Sequence, residues 1–301
     1  PTGQGPIEKT KKNTGPESQA SVGSQTSRCP PGYSHMLGSL IDRPRWHWTI
    51  WGKHPAAADY LNIGLATQVE QAISNWIQKG YSRLNTGENI PSTPCVWRFW
   101  TQVTGNHVIA CGIISDSSDQ IGRPFPLLVM GTGRLKDWEQ YWEYLPMGLE
   151  STWRQMEQLS ASRAKQSGEL KQALDRLQPP VPSWSDLKKR RAIAPKSLTP
   201  LLPETKRLHQ GQVRQTDKKP VDSCRIVPLT GDPTDAANEW HRQEKAQHRY
   251  APNSLFIGGP PDLPFLAAFT RALSPLDFVR LWALGRRKSR QRHGGIAMTE
   301  K

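Results

Sequence analysis

Cysteine is scarce, with four in 301 residues, at positions 29, 95, 111 and 224. No two of them have the spacing of a zinc or redox pair. If residues 95–103 and 107–114 pair as a hairpin, Cys111 falls opposite Trp100 and not Cys95, so no cross-strand bridge is expected. Apolar side chains are also few, at 36% of the chain, which predicts that a sizeable part of it is not packed. No apolar run approaches the ~18 residues that a membrane-spanning helix needs, and no stretch reads as a signal peptide. These absences predict a reducing, cytoplasmic setting without membrane insertion. Signatures of common chemistries are missing too. Gly52-Lys53 lacks the upstream glycine of a phosphate-binding loop. His54 and Asp59 have no third ligand at a standard spacing. No metal, cofactor or catalytic residue is predicted.

Charge is present but unevenly placed. The formal net charge is +14, yet residues 41–155 and 223–285 each balance acid with base. Most of the excess lies in 156–222 and 286–301, which have little apolar periodicity. A nucleic-acid-binding domain carries its basic patch on a folded surface. Basic segments without a core read instead as solvated and disordered. The other reading is weak contact with nucleic acid, acidic lipid or an acidic partner; specific nucleic-acid binding is not expected.

Five segments follow. Residues 1–40 read as a disordered arm, 41–156 as an α/β core, 157–222 as a disordered basic insert, 223–285 as a C-terminal part packing onto the core, and 286–301 as a basic disordered tail. Nine of the twelve tryptophans fall within 41–155. Trp46, Trp48 and Ile50 share one face of a strand with Trp51 on the other. Leu65, Val69, Ile73, Trp76, Ile77 and Leu84 follow helical spacing. Val96–Val103 and Val108–Ile114 flank Gly105-Asn106 as a hairpin. Phe125–Met130 is a further strand, with Pro126 placed at its start or at an edge. A helix begins at Trp138, is broken by Pro146 and resumes through Trp153 and Met156. At most a transient helix is expected near 160–177. Trp51, Trp97 and Trp100 are assigned together to a sheet face. Structure resumes near Cys224–Leu229, Ser254–Ile257 reads as a short strand, and Ser274, Pro275 and Asp277 read as the start of a last helix ending at Gly285. The expected fold is α/β, a single three-layer α/β/α domain with a mixed sheet, interrupted by a long disordered insert.

Two segments carry the functional signal. One is Gly52-Lys53-His54-Pro55 running to Asp59-Tyr60, and the other is Asp119 through Gly122-Arg123 to Leu127. Each follows a strand, where binding groups sit on a rigid base. Lys53, His54 and Asp59 read either as a solvated turn or as a partner-binding edge. Asp119 and Arg123 read as an ion pair across a turn, or Arg123 as an exposed anion binder. The two segments are expected to meet, with Asp59 against Arg123 as a buried or half-buried pair. A Cys95 or Cys111 nucleophile paired with a histidine has no support beyond composition.

In order, these segments resemble the TagF/ImpM family of type VI secretion-associated proteins. Gly52-Lys53-His54-Pro55 with Asp59-Tyr60 is similar to the family's G-K-L-P-x-x-G-D-F, and Asp119–Leu127 to its D-x-x-G-R-x-F-P-L. Here His54 replaces Leu and Ala58 replaces Gly, and the insert is long. The resemblance covers about 45–155 well and 254–282 less specifically. It implies a cytoplasmic, non-enzymatic accessory protein that represses assembly by binding a forkhead-associated scaffold protein. It places the partner-binding or motif-stabilising residues at Gly52, Lys53, Pro55, Asp59, Asp119, Gly122 and Arg123. The alternative is a small-ligand or hydrolytic site at Asp59, Asp119 and Arg123. Oligomeric state is not legible.

Overall fold

The computed structural model describes residues 46–84, 94–105, 107–193 and 223–285. All of them belong to the compact unit Asp42–Lys301. The arm 1–40, the tail 286–301, residues 194–222 of the insert and Asn106 of the expected turn lie outside the described residues.

Among the described residues, eight strands form one open sheet in the order β2-β1-β5-β4-β3-β7-β8-β6. They are β1 His47–Gly52, β2 Leu61–Ile63, β3 Val96–Gln102, β4 Val108–Ser115, β5 Leu127–Arg134, β6 Cys224–Pro228, β7 Ser254–Gly259 and β8 Phe265–Phe269. Every pairing is antiparallel, which corrects the expected mixed sheet. β3–β4 and β4–β5 are joined by short connections that reverse the chain, and no parallel crossover is needed. Cys111 faces Trp100 across the β3–β4 ladder, as the hairpin register requires.

Alternation along the strands divides the interior in two. Trp97, Phe99, Ile114, Leu128, Met130, Phe256 and Phe269 pack under α1 (Gln68–Tyr81) and α6 (Pro275–Leu284). Ile50, Trp100, Ile109, Ile113, Val129 and Leu255 pack under α2 (Leu145–Ser160), α3 (Ser167–Asp175) and α5 (Pro233–Gln247). The result is the expected three layers. Trp100 lies an odd number of residues from Trp97, so it faces α5 while Trp51 and Trp97 face the α1 and α6 side. The three tryptophans therefore do not share a face. Trp46 and Trp48 stack at 5.5 Å. They lie where Gly131 and Gly133 of β5 leave room, since a Cβ at either glycine would strike an indole ring.

The boundary between core and insert moves. Pro146 opens α2 within its first turn and does not break a helix; a short 3-10 turn, Trp142–Tyr144, precedes it. This suits proline, whose missing N–H costs nothing at a helix start. Residues 157–193, expected to be disordered, complete α2 and form α3 and α4 (Trp184–Ile193). Leu159, Leu170, Leu174, Leu177 and Leu187 are buried there, isolated apolar side chains among polar and charged neighbours. β7 forms where a strand is expected and β6 where structure is expected to resume, whereas β2, β8 and α5 have no counterpart in the sequence reading. α5 hides because only Ala237, Trp240 and His241 of its fifteen residues are buried, although Asp232-Pro233 is a legible cap. Arg98 ties three elements together, bonding Glu157 at 2.6 and 2.9 Å, Glu150 at 2.7 Å and Thr234 at 3.5 Å.

α1 starts on a capping box between Thr67 and Glu70. Glu70 is fully buried. Its carboxylate accepts from the amides of Ala66 and Thr67 and contacts His47 Nδ1 at 2.7 Å. Burial pushes its pKa up, but those bonds outweigh it and leave the pKa below its ordinary value. Glu70→Ala strands two amides at the helix start and is expected to cost about 2–3 kcal/mol. Urea denaturation at neutral pH would measure this, and an unchanged midpoint would show that the cap contributes nothing.

Candidate functional site

Strand register brings the two motifs together. Gly52, the last residue of β1, pairs with Leu127, the first of β5, and Ser115, the last of β4, pairs with the same Leu127. The loop leaving β1 and the loop joining β4 to β5 therefore leave the same end of the sheet side by side. The second loop is folded tightly. Ser118 bridges Pro124, the Phe125 amide donates to the Ser117 carbonyl, and the Asp119 amide donates to the Arg123 carbonyl.

Asp119 is the centre of the site, with a side chain shut off from solvent. One carboxylate oxygen accepts from the amides of Ile121 and Arg123 at 3.2 and 2.9 Å. The other lies 3.0 Å from Lys53 Nζ and accepts from Arg123 Nε at 2.6 Å. Burial alone pushes its pKa up. The Arg123 amide, the Lys53 ammonium and the Arg123 guanidinium more than offset this, and Asp119 stays ionised far below the usual carboxylate range. Lys53 is 7% exposed and sits over the Tyr60 ring at 5.2 Å.

The loops are stitched by backbone contacts as well as by charge. Arg123 Nη2 donates to the Ala58 carbonyl at 2.9 Å, and the Gln120 amide to that of Ala57 at 2.9 Å. Asp59 and Arg123 do approach, at 3.7 Å, but their side chains are 70% and 51% exposed. That pair is neither buried nor half-buried, and an exposed ion pair contributes little. The buried partner of Asp119 is Lys53, a contact between the motifs that residue spacing does not reveal. Nor is the first motif a solvated turn throughout, since Lys53 and His54 are buried while Pro55 and Asp59 are exposed.

His54 fills its Leu-like position as a neutral group. It is 1% exposed, and its Nδ1 accepts from the Ala56 amide at 3.0 Å. Burial lowers its pKa, and backbone bonds to Ser162 and Ser160 oppose that only in part. Ala58 is accommodated because its φ is not positive. The only non-glycine residues with positive φ among those described are His107 and Asp137.

Residues 49–179 match the model of the TagF N-terminal domain, type VI secretion system-associated. This region is a TagF domain. It holds both motifs, and it runs past the expected limit near 155 because α2 and α3 belong to the packed domain. The TagF domain makes the protein type VI secretion-associated. Residues 223–285 lie beyond the matched region, yet their three strands complete the sheet. No curated protein matches the chain. Among solved structures, a crystal structure of PA0076 from Pseudomonas aeruginosa PAO1 is similar at 16% identity with a TM-score of 0.46, covering 84% of this chain and 98% of that one.

Other candidate chemistry is quiet. Burial and the nearby Asp116 push the Cys95 thiol up to about 12, and burial pushes that of Cys111 far above its ordinary value. Both are buried and poor nucleophiles. No helix among the described residues is long and apolar enough to cross a membrane.

Proposed function

We propose that this protein is a cytoplasmic, non-enzymatic regulator of a type VI secretion machine. It represses assembly by binding a forkhead-associated scaffold protein, with no cofactor, and its two TagF motifs form the docking face. The observation that carries this reading is the state of Asp119. All its hydrogen-bonding positions are taken by Lys53, Arg123 and two amides, so it organises loops and has no free acceptor for a substrate. The competing reading, a ligand or hydrolytic site at Asp59, Asp119 and Arg123, needs a carboxylate that can take a proton near neutral pH. Asp119 is held far from that. The locked loops instead present Asp59, Tyr60 and Arg123 to solvent, and preformed surfaces of this kind reduce the ordering cost of protein association.

The test is co-purification with the scaffold from the protein's own cell, using wild type and an Asp59→Ala/Arg123→Ala variant checked for folding. Capture by wild type and its loss in the folded variant is the expected result. Capture by neither removes the scaffold-binding function.

A further inference from the structure

The turn at Asp119–Arg123 is held more firmly than an exposed turn requires. Two of its amides, those of Ile121 and Arg123, point at one buried carboxylate oxygen. A third, that of Gly122, donates to the Asp119 carbonyl at 2.9 Å. Ile121 sits within this frame with 71% of its surface exposed. A lone exposed aliphatic residue is ordinary. Ile121 differs in its setting. The adjoining loop presents Tyr60, which is 50% exposed and backed by the Phe125 and Trp51 rings at 4.9 and 6.3 Å. Arg123, next along the turn, has its Nε and Nη2 held by Asp119 and Ala58. Among the described residues, its Nη1 makes no hydrogen bond.

We propose that Ile121 is the apolar anchor of the docking face and enters an apolar pocket on a protein partner, with Arg123 Nη1 donating to a carboxylate at the pocket rim. This rests on the regulatory reading above, in which these loops contact the scaffold. A rigid aliphatic knob beside an immobilised guanidinium and a tyrosine has the make-up of an interface centre. The turn is already ordered, so seating it costs little entropy. The charge pattern selects the partner's chemistry. The Asp59 carboxylate stands 3.7 Å from Arg123 Nη2 and repels a polyanion such as nucleic acid, whereas one carboxylate can approach Nη1 from the other side.

The experiment is titration of the purified full chain with the purified scaffold by calorimetry. Ile121→Asp is expected to keep the wild-type melting temperature, because the side chain packs against nothing that folding needs, and to raise Kd roughly thirtyfold or more. Ile121→Leu should bind like wild type, as should Val181→Asp, a control at a residue 85% exposed elsewhere. Binding of Ile121→Asp within about twofold of wild type, less than about 0.5 kcal/mol, overturns the anchor and leaves the regulatory function standing. Absence of binding by the wild type itself overturns both, and that arm alone separates the two failures.

Discussion

Gly52→Ala is expected to destabilise the protein by at least about 3 kcal/mol. Two independent costs meet at this position. Gly52 has φ +119°, which a residue with a Cβ rarely adopts. A Cβ there would also overlap the Pro126 carbonyl oxygen and lie 3.1 Å from Leu127 Cα. The backbone cannot step aside, because Gly52 is paired with Leu61 on one side and Leu127 on the other. Relief requires opening the β1–β5 ladder where the two motifs meet, so Lys53 would be drawn away from Asp119. Stability and scaffold capture should fall together. Gly122→Ala separates the dihedral cost from the clash. Its φ is +82° and nothing lies within 4 Å of the added atom, so a loss of only about 1–2 kcal/mol is expected. Urea denaturation of both variants is the measurement, and equal losses would contradict the clash.

Stability is expected to drop in mild acid by about 1.4 kcal/mol for each pH unit below 6.5, through His241 alone. His241 is fully buried, against the Trp100, Trp142 and Trp240 rings. Its Nδ1 is 2.6 Å from the Ala237 carbonyl and must carry the proton, which leaves Nε2 to accept from Trp100 Nε1 at 3.4 Å. A second proton would set N–H against N–H in an apolar pocket. Burial accordingly lowers its pKa to about 3, with a backbone bond to Ala237 opposing and Arg191 adding to the shift. The unfolded chain takes up this proton near 6.5 and the folded chain only near 3, so acid favours unfolding between those values. Full stability is present above 6.5. From pH 6.5 to 5 the expected loss is about 2 kcal/mol, and the lowered pKa of His54 adds to it with the same sign. Ordinary carboxylates stay ionised in that window, in the folded and the unfolded chain alike, which makes it diagnostic. His241→Leu should flatten the slope of urea stability against pH, and a variant as steep as wild type would refute the assignment.

Much of this was legible one residue at a time. The α1 stripe through Ile73, Trp76 and Ile77, the β3–β4 register and the cap at Ser274 rest on local periods and turn chemistry, which need no knowledge of distant neighbours. The misses share a cause. α3, α4 and α5 fully bury only one to three side chains each and leave the rest partly or wholly exposed, so their composition resembles that of a linker. His54 reads as polar, yet it is one of the most buried residues of its loop, because three backbone partners satisfy its ring. The centre of the site was only half legible. Asp119 and Arg123 are four residues apart and pair within one turn, whereas Lys53 is 66 residues before Asp119 in the chain and reaches it only through the β1–β5 ladder.

From sequence alone came the alternating strands and helices, the neutral folding blocks and the two motifs that mark a TagF domain, because composition and spacing are local properties. Tertiary structure decided the antiparallel order of the sheet, the recruitment of residues 157–193 into the core and the burial of Lys53 against Asp119. It also decided the exposure of Ile121 and Arg123. Burial and charge pairing are relations between segments, and strand register is what sets the distances between them.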